Sequence, residues 1–363
     1  MPKAKVNCRI RGQPHVHLST EIMAGAMAKR LVVGLVLALA LGEEGADDEV
    51  LDALLPEDFE ARRLEVEEPA PEPGFHRDPA GSTVAAGHYH TCALRASENA
   101  EFGGIAHCWG FDEMGQVSRA PTDTTFIQLS SGHFHSCGVT LEEKILCWGG
   151  VDRKDVYAPA GLFQQVTAGQ FHTCGLTKDG EPRCWGEDHL TGATKPPPGT
   201  FVQLEAGADF TCGLRPSAEV ECWGGNAHGQ SDGPPAGERF LQIAASTSSP
   251  QACALTLDGS DLVCWGQNTK GQAPRRVRGP FAQVATGYKT TCALARESAE
   301  IECFGVSAHV FGSEDAPHFA GHTWEQLSVG SDHICALDVE GAVVCHGQPT
   351  QTARVVPPGF VAA

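Results

Sequence analysis

The sequence predicts an all-β fold, a seven-bladed β-propeller, from three observations. Variants of one phrase, Gly-x-x-His-Thr-Cys followed by a turn and Cys-Trp-Gly, recur seven times at spacings of 37 to 45 residues. Each copy contains runs in which apolar and polar residues alternate, as they do in a half-buried strand. Sustained helical periodicity is missing from the sequence. A repeated unit that cannot bury its own face is typical of repeat architectures, and three or four short strands per unit are typical of propeller blades.

The clearest copy shows how one repeat is built. Its first predicted strand runs from Phe163 to Gly169 and opens on an aromatic residue, and its second runs from Thr173 to Thr177. Asp179-Gly180 is a hairpin-turn signal. The third strand carries the second cysteine and ends at Trp185-Gly186, and the Pro-rich turn at residues 196–199 leads into the next repeat.

The cysteines divide into pairs that flank the hairpin turns. Separation within a pair is 10 or 11 residues, and 16 in the first copy. The pairs are Cys92 and Cys108, Cys137 and Cys147, Cys174 and Cys184, Cys212 and Cys222, Cys253 and Cys264, Cys292 and Cys303, and Cys335 and Cys345. Residues opposed on neighbouring antiparallel strands lie within the Cα distance of a disulfide, so we predict seven bridges and an oxidising compartment. A metal site is the alternative, although structural zinc usually takes Cys-x₂₋₄-Cys pairs.

Three regions are predicted along the chain: an export signal over residues 1–42, an acidic linker over residues 43–80 and the repeats over residues 81–363. Lys29-Arg30 precede an apolar run from Leu31 to Leu41, which is too short to span a bilayer and has the length of a signal-peptide core. A buried helix is the alternative for this run. We expect translation to start at Met23 or Met27, and the mature protein to be an extracytoplasmic monomer without a transmembrane span, whether secreted, periplasmic or at the cell surface.

Charge restricts the choice of partner. The formal net charge is −19, and residues 43–78 carry 14 acidic side chains against three arginines. Such a like-charged, Pro-containing segment is typical of disorder. Nucleic-acid binding needs clustered Lys and Arg, and the one basic cluster, Arg275, Arg276 and Arg278, is interpreted as a solvated loop. We therefore expect no nucleic-acid partner.

Histidines and tryptophans recur at fixed positions of the repeat. His88 and His133 each stand two residues before another histidine, a spacing that also occurs in transition-metal sites. The motif histidines are His90, His135, His172 and His333, and the tryptophans are Trp109, Trp148, Trp185, Trp223 and Trp265. Because they occur once per repeat, we interpret the histidines as hydrogen-bonding neighbours between blades and the tryptophans as packing residues. A metal site and a ligand surface remain the respective alternatives.

No catalytic constellation is recognisable in the sequence. Gly-x-Ser-x-Gly, His-Glu-x-x-His and Gly-x-x-x-x-Gly-Lys do not occur. We assign no catalytic residue, no cofactor and no metal ligand.

The repeats resemble those of the RCC1 family, the regulator-of-chromosome-condensation repeats. The resemblance covers residues from about 82 to 348 and rests on Gly-x-x-His-Thr/Ser with Trp-Gly and a following Gly-Gln, as at residues 132–137, 223–230 and 265–272. It implies a seven-bladed propeller, here similar to the compact bacterial version that includes a secreted β-lactamase inhibitor. The paired cysteines depart from the family pattern, as do Phe304 and His346 at the tryptophan position. The loop that the family's exchange factors use has no counterpart, so nucleotide exchange is not implied.

The C-terminus repeats the start of a blade. Residues 357–361, Pro-Pro-Gly-Phe-Val, match the phrase Pro-Gly-Thr-Phe-Val at residues 198–202, whereas the first repeat has Gly81 at the aromatic position. We therefore predict that the C-terminal strand completes the first blade and removes a free edge.

We predict a binding scaffold whose variable loops contact an unidentified protein or surface polymer of basic character. These loops are Ala96 to Ile105, Val151 to Ala158, Ser246 to Gln251 and Val306 to Thr323. A secreted enzyme inhibitor is one alternative. An extracellular hydrolase or lyase, working with two or more carboxylates or histidines in the central channel, is the other.

Overall fold

The structure, a computed structural model, describes residues 3–7, 19–23, 83–96, 103–150, 154–306, 322–347, 353, 355–358 and 360–362. The chain separates into two compact units, Met1–Glu72 and Pro73–Ala363. In the first unit the described residues form one antiparallel pair, β1 (Lys3–Asn7) with β2 (Ser19–Met23). The apolar run of the predicted export signal, residues 31–41, and the acidic linker lie outside the described residues. The region boundaries at residues 42 and 80 stay predictions.

The described residues of the second unit are all-β apart from a 3₁₀ turn at Lys154–Val156 and 3₁₀ geometry at residue 353. Its strands are β3 (Val84–Ala86), β4 (His90–Ala96), β5 (Gly104–Gly110), β6 (Thr125–Ser131), β7 (His135–Thr140), β8 (Ile145–Gly149), β9 (Phe163–Ala168), β10 (His172–Thr177), β11 (Pro182–Gly186), β12 (Gln203–Ala206), β13 (Phe210–Leu214), β14 (Val220–Gly224), β15 (Phe240–Ala245), β16 (Gln251–Thr256), β17 (Asp261–Gly266), β18 (Arg276–Arg278), β19 (Phe281–Gly287), β20 (Thr290–Ala295), β21 (Ile301–Gly305), β22 (Trp324–Val329), β23 (His333–Asp338) and β24 (Val343–Gly347). No helix within the described residues is long and apolar enough to span a membrane.

Strands pair in successive groups of three, each an antiparallel meander. The groups are β3-β4-β5, β6-β7-β8, β9-β10-β11, β12-β13-β14, β15-β16-β17, β19-β20-β21 and β22-β23-β24, numbered one to seven below. β18 adds a fourth strand to group five, and a short β5–β6 pairing merges groups one and two into a six-stranded sheet. The predicted three- or four-stranded repeat is therefore observed in every described group.

Each cysteine pair lies directly across the second and third strands of its group. Cys174 and Cys184 are register partners, for example, and the other pairs are placed in the same way. The structure joins the pairs in seven disulfides with Cα–Cα distances of 4.0–4.1 Å. The hairpin turn sets this register, because the turn determines which residues face each other across the two strands.

Apolar packing joins each group to the next. The described residues form seven buried clusters, and each cluster combines side chains of two successive groups. Most contain the aromatic residue near the start of a group's first strand, such as Phe163, which is fully buried. One cluster combines Val84 of group one with Leu337 of group seven, so the last group packs against the first.

In groups two to seven, a glutamine of the first strand bridges to the following group. The Gln128 side chain accepts from the Val166 amide at 2.8 Å and donates to the same residue's carbonyl at 3.1 Å. Gln165, Gln203, Gln242, Gln283 and Gln326 make such contacts in groups three to seven. Gln326 reaches Val84, so this set of contacts also connects group seven to group one. In five groups a β-bulge separates the aromatic residue from the glutamine and changes the local direction of the strand.

The C-terminal residues lie against group one. Ala362 forms an isolated β-bridge with Arg95, and its amide donates to the Gly341 carbonyl of group seven at 2.9 Å. The Phe360 ring packs 5.7 Å from that of Trp109, the same separation as between Phe201 and its tryptophan in group four. Phe360 therefore supplies the aromatic residue that the first repeat lacks.

Candidate binding surface at the Gly-x-x-His turns

The motif histidines link neighbouring groups. His135 Nε2 lies 2.7 Å from Thr173 Oγ1, and His172 Nε2 lies 2.8 Å from Thr211 Oγ1. His90 and His333 make the equivalent contacts to Ser136 and Thr91. The threonine hydroxyls donate to backbone carbonyls, as Thr211 does to Ala193, so their oxygens accept from the imidazole N–H. These buried histidines therefore act as hydrogen-bonding neighbours between groups.

The recurring tryptophans are used in a similar way. The indole N–H groups of Trp148, Trp185, Trp223 and Trp265 donate to a backbone carbonyl in the connection that precedes their group, at 2.9–3.1 Å. Trp109 of group one donates to the carbonyl of Ala353, which follows group seven in the chain, at 2.8 Å. The carbonyl of Ala193 accepts from Trp223 and also from Thr211. These indoles are buried or half-buried.

We expect the protein to lose stability as the pH falls from about 7 to about 4. Burial lowers the pKa of His90 to about 3 and the pKa values of His172 and His333 to about 4, against about 6.5 in an unfolded chain. Between these values the unfolded chain binds more protons than the folded chain, so stability is present above the unfolded pKa and is lost as the pH falls. Urea unfolding at several pH values measures this slope.

His172→Gln is the matched variant, because Gln251 occupies the same position in group five. The stability of the variant is expected to fall less steeply as the pH falls, because the variant lacks one of the buried histidines that become protonated on unfolding. Identical pH dependence of the variant and the parent protein would contradict this assignment.

The first strands of the groups surround a cavity of about 120 Å³. Its lining is mostly small or apolar, with Ser130, Thr167 and Thr286 among the polar residues. Among the described residues of the lining, Glu205 is the one ionisable side chain. The pair of carboxylates or histidines that a channel enzyme needs is thus not among them.

The Gly-x-x-His turns lie at the end of this cavity, because every first strand finishes there. Consecutive turns hydrogen-bond to each other: the His88 amide donates to Gly132, and the Ser331 amide donates to the His88 carbonyl, at 3.1 and 3.3 Å. His88 Nδ1 also lies 2.7 Å from Ser248 Oγ of group five and 2.5 Å from Ser331 Oγ. Residues 246–251, predicted as a partner loop, therefore turn inward over the cavity.

Aromatic rings run without a break across the turns of groups one to three. The rings of His88 and His133 stack with centroids 3.6 Å apart. Phe111, Tyr89, His88, His133, Phe134, Phe171 and His189 follow one another with centroid separations from 3.6 to 6.3 Å. We call these seven residues the ring strip. All are at least partly exposed, so the strip is a surface and not a core.

The hairpin turns between the second and third strands lie at the other end of the strand groups, away from the Gly-x-x-His turns, and carry charged side chains. Charged side chains there pair with each other, as in Lys178 with Glu143 at 2.6 Å and Arg239 with Glu219. Arg276, from the basic cluster of the sequence, pairs with Glu238 and Asp261. The two ends therefore present different chemistries, one aromatic and the other made of paired charges.

Comparison with known families agrees with the repeat pattern. Residues 163–189 and 201–230 match the model of the regulator of chromosome condensation (RCC1) repeat. The chain therefore contains RCC1-like repeats, matched by the family model over these two segments.

Solved structures show the same propeller-like fold. The chain is similar to the CRINKLY WD40 ectodomain of the receptor kinase ACR4 from Arabidopsis thaliana, with 23% identity, a TM-score of 0.61 and coverage of 77% of this chain and 98% of that one. The ectodomain of the receptor kinase CR4 from Physcomitrella patens matches with 22% identity, a TM-score of 0.60 and 73% coverage of each chain. Prp20p from Saccharomyces cerevisiae, studied with its binding to Gsp1p and histones, matches with 17% identity, a TM-score of 0.59 and coverage of 74% and 86%.

The bridging glutamines of the RCC1-like repeats have a regular spacing of their own in the sequence. The bridging glutamine follows the strand-opening aromatic residue by two positions in six repeats, and that spacing is visible in the sequence. Part of the ring strip also has a signal in the sequence, because the second variable position of Gly-x-x-His is aromatic in three consecutive repeats, at Tyr89, Phe134 and Phe171. Of the predicted partner loops, residues 97–102, 151–153 and 307–321 lie outside the described residues.

Proposed function

We propose that this RCC1-like chain is an exported, disulfide-stabilised, seven-bladed β-propeller that binds a protein or a surface polymer through its turns. Seven described strand groups, with contacts from group seven back to group one, support the blade count. Seven disulfides support an extracytoplasmic location, since such bonds persist in oxidising compartments.

The ring strip is the observation that carries the binding function. Solvent-exposed clusters of aromatic residues are rare on proteins that have no partner, whereas aromatic anchors dominate the binding energy of protein interfaces. The histidines, glutamines and tryptophans that recur from repeat to repeat are engaged between groups, as in His172 with Thr211, and so form the scaffold. The turns are the part of the repeat that is free to differ from one group to the next.

Affinity capture with the exported protein as bait tests this function. Native culture is passed over the wild-type protein and over a Phe134→Ala/Phe171→Ala variant, and the retained material is identified by mass spectrometry. Loss of two anchor residues is expected to weaken retention of a genuine partner by roughly 30-fold or more.

Leu141→Ala is the control, because Leu141 is 46% exposed in a hairpin turn at the opposite end. Its capture profile is expected to match that of the wild type. The scaffold proposal fails if nothing binds the wild type above an unrelated bait, or if the double variant retains the same partner equally well.

A further inference from the structure

Two tyrosines and one aspartate come together where the turns of groups six, seven and one meet. The Tyr288 amide donates to the Gly330 carbonyl at 3.3 Å, and the next residue, Ser331, donates to His88 at 3.3 Å. Tyr288, Asp332 and Tyr89 are therefore carried by three consecutive hydrogen-bonded turns. Burial, Asp332 and Tyr288 raise the pKa of Tyr89, in that order of effect, which agrees with this close placement.

The Asp332 carboxylate has different contacts from the carboxylate at the same turn position in group four. Asp209, at the same turn position in group four, accepts a hydrogen bond from Gln230 at 3.1 Å. Asp332 has neither a hydrogen bond nor an ion pair from its side chain to any residue within the described ranges, and it is half-buried. Burial raises its pKa, because a carboxylate loses hydration there without a compensating cation. An incoming cation would restore that lost stabilisation.

The neighbouring rings are suited to a cation. Lys289 Nζ already lies 4.5 Å from the centroid of Tyr288, which is a cation–π arrangement. Tyr288 is 38% exposed, and Tyr89 is partly exposed, so both remain open to a further group. A guanidinium both stacks on aromatic faces and donates to a carboxylate through two N–H groups, which an ammonium cannot do with the same geometry.

We propose that Asp332, Tyr89 and Tyr288 form a pocket for an arginine side chain of a partner protein. Tyr89 belongs to the ring strip, so the same partner segment would place apolar residues on Phe134 and Phe171 next to the arginine. The net charge of −19 favours such a basic partner. The existence of a protein partner rests on the proposed function, whereas arginine binding by the pocket can be measured without a partner.

Titration with N-acetyl-arginine amide, followed by NMR of the tyrosine rings, tests the pocket. The probe is expected to shift the Tyr89 and Tyr288 ring signals in a saturable way, while the neutral isostere N-acetyl-citrulline amide leaves them in place. Asp332→Asn is expected to weaken arginine binding by roughly tenfold or more, because a charge-assisted hydrogen bond is lost. Tyr288→Ser is expected to weaken it as well, through loss of the stacking face.

Asp179→Asn is the matched control, because Asp179 is exposed in a hairpin turn at the opposite end. It is expected to bind the probe as the wild type does. Equal shifts with citrulline, or undiminished arginine binding in a folded Asp332→Asn variant, would overturn the pocket. If arginine binds at Asp332 but capture retains no partner, the pocket stands and the proposed function fails. If a partner is captured but arginine does not bind, the proposed function stands and the pocket fails.

Discussion

Reduction of the disulfides is expected to destabilise the protein more than any other single treatment. Each bridge closes a loop of 10 to 16 residues between two strands of one group. In the chain-entropy model such a loop contributes about 2.5–3 kcal/mol by restricting the unfolded chain. Even half of the sum of these contributions is comparable with the whole stability of a typical domain, which is about 5–15 kcal/mol. We expect the guanidinium midpoint to fall sharply on reduction.

Intact-mass measurement with and without reductant counts the bridges directly. The protein, isolated without reductant, is expected to gain two hydrogen atoms on reduction of each of the seven bridges. A Cys174→Ala/Cys184→Ala variant isolates one bridge and is compared with the parent protein. Alkylation of the paired cysteines without reductant, or an unchanged midpoint after full reduction, would contradict the prediction.

Phe360→Ala is expected to destabilise the protein by about 3 kcal/mol or more. The Phe360 ring is 9% exposed and packs with Trp109, Val84 and Leu337, which belong to groups one and seven. Truncation removes this apolar contact and leaves a cavity, a combination that costs about 3–5 kcal/mol for a buried phenylalanine. Thermal and urea unfolding measure the loss.

Val361→Ala is the control, because Val361 is adjacent in sequence but 55% exposed. It is expected to change stability by about 0.5 kcal/mol or less. Deletion of residues 355–363 should cost at least as much as Phe360→Ala, since it also removes the Ala362 bridge to Arg95. Equal melting temperatures for the deletion and the parent protein would show that this segment does not close the structure.

The repeat unit was predictable from the sequence to within one or two residues at most strand ends. The predicted second strand, Thr173 to Thr177, is observed as His172–Thr177. The opening aromatic strand at Phe163 is observed as Phe163–Ala168. Group four shows a larger difference, because pairing begins at Gln203 and Phe201 packs before it as a buried residue outside the strand. Such agreement follows from seven independent copies of the same local signal.

The candidate binding surface was much less predictable. The structure places His88 and His133 in turns and stacks their rings, which their spacing from the motif histidines does not indicate. Ser248 reaches His88 although 160 residues separate them in sequence. Asp332 and Tyr89 are separated even further along the chain and come together only because group seven packs against group one.

The sequence by itself determined the strands, the turns and the facing cysteines of this protein, because these depend on residues within about forty positions of each other. Alternating side chains, hairpin turns and a fixed cysteine spacing act locally, and their repetition makes each of them recognisable in the sequence. Only the tertiary structure decided which variable turns become neighbours. That choice comes from the packing of one group on the next and of the last on the first, which joins Tyr288, Asp332 and Tyr89 at one end of the sheets.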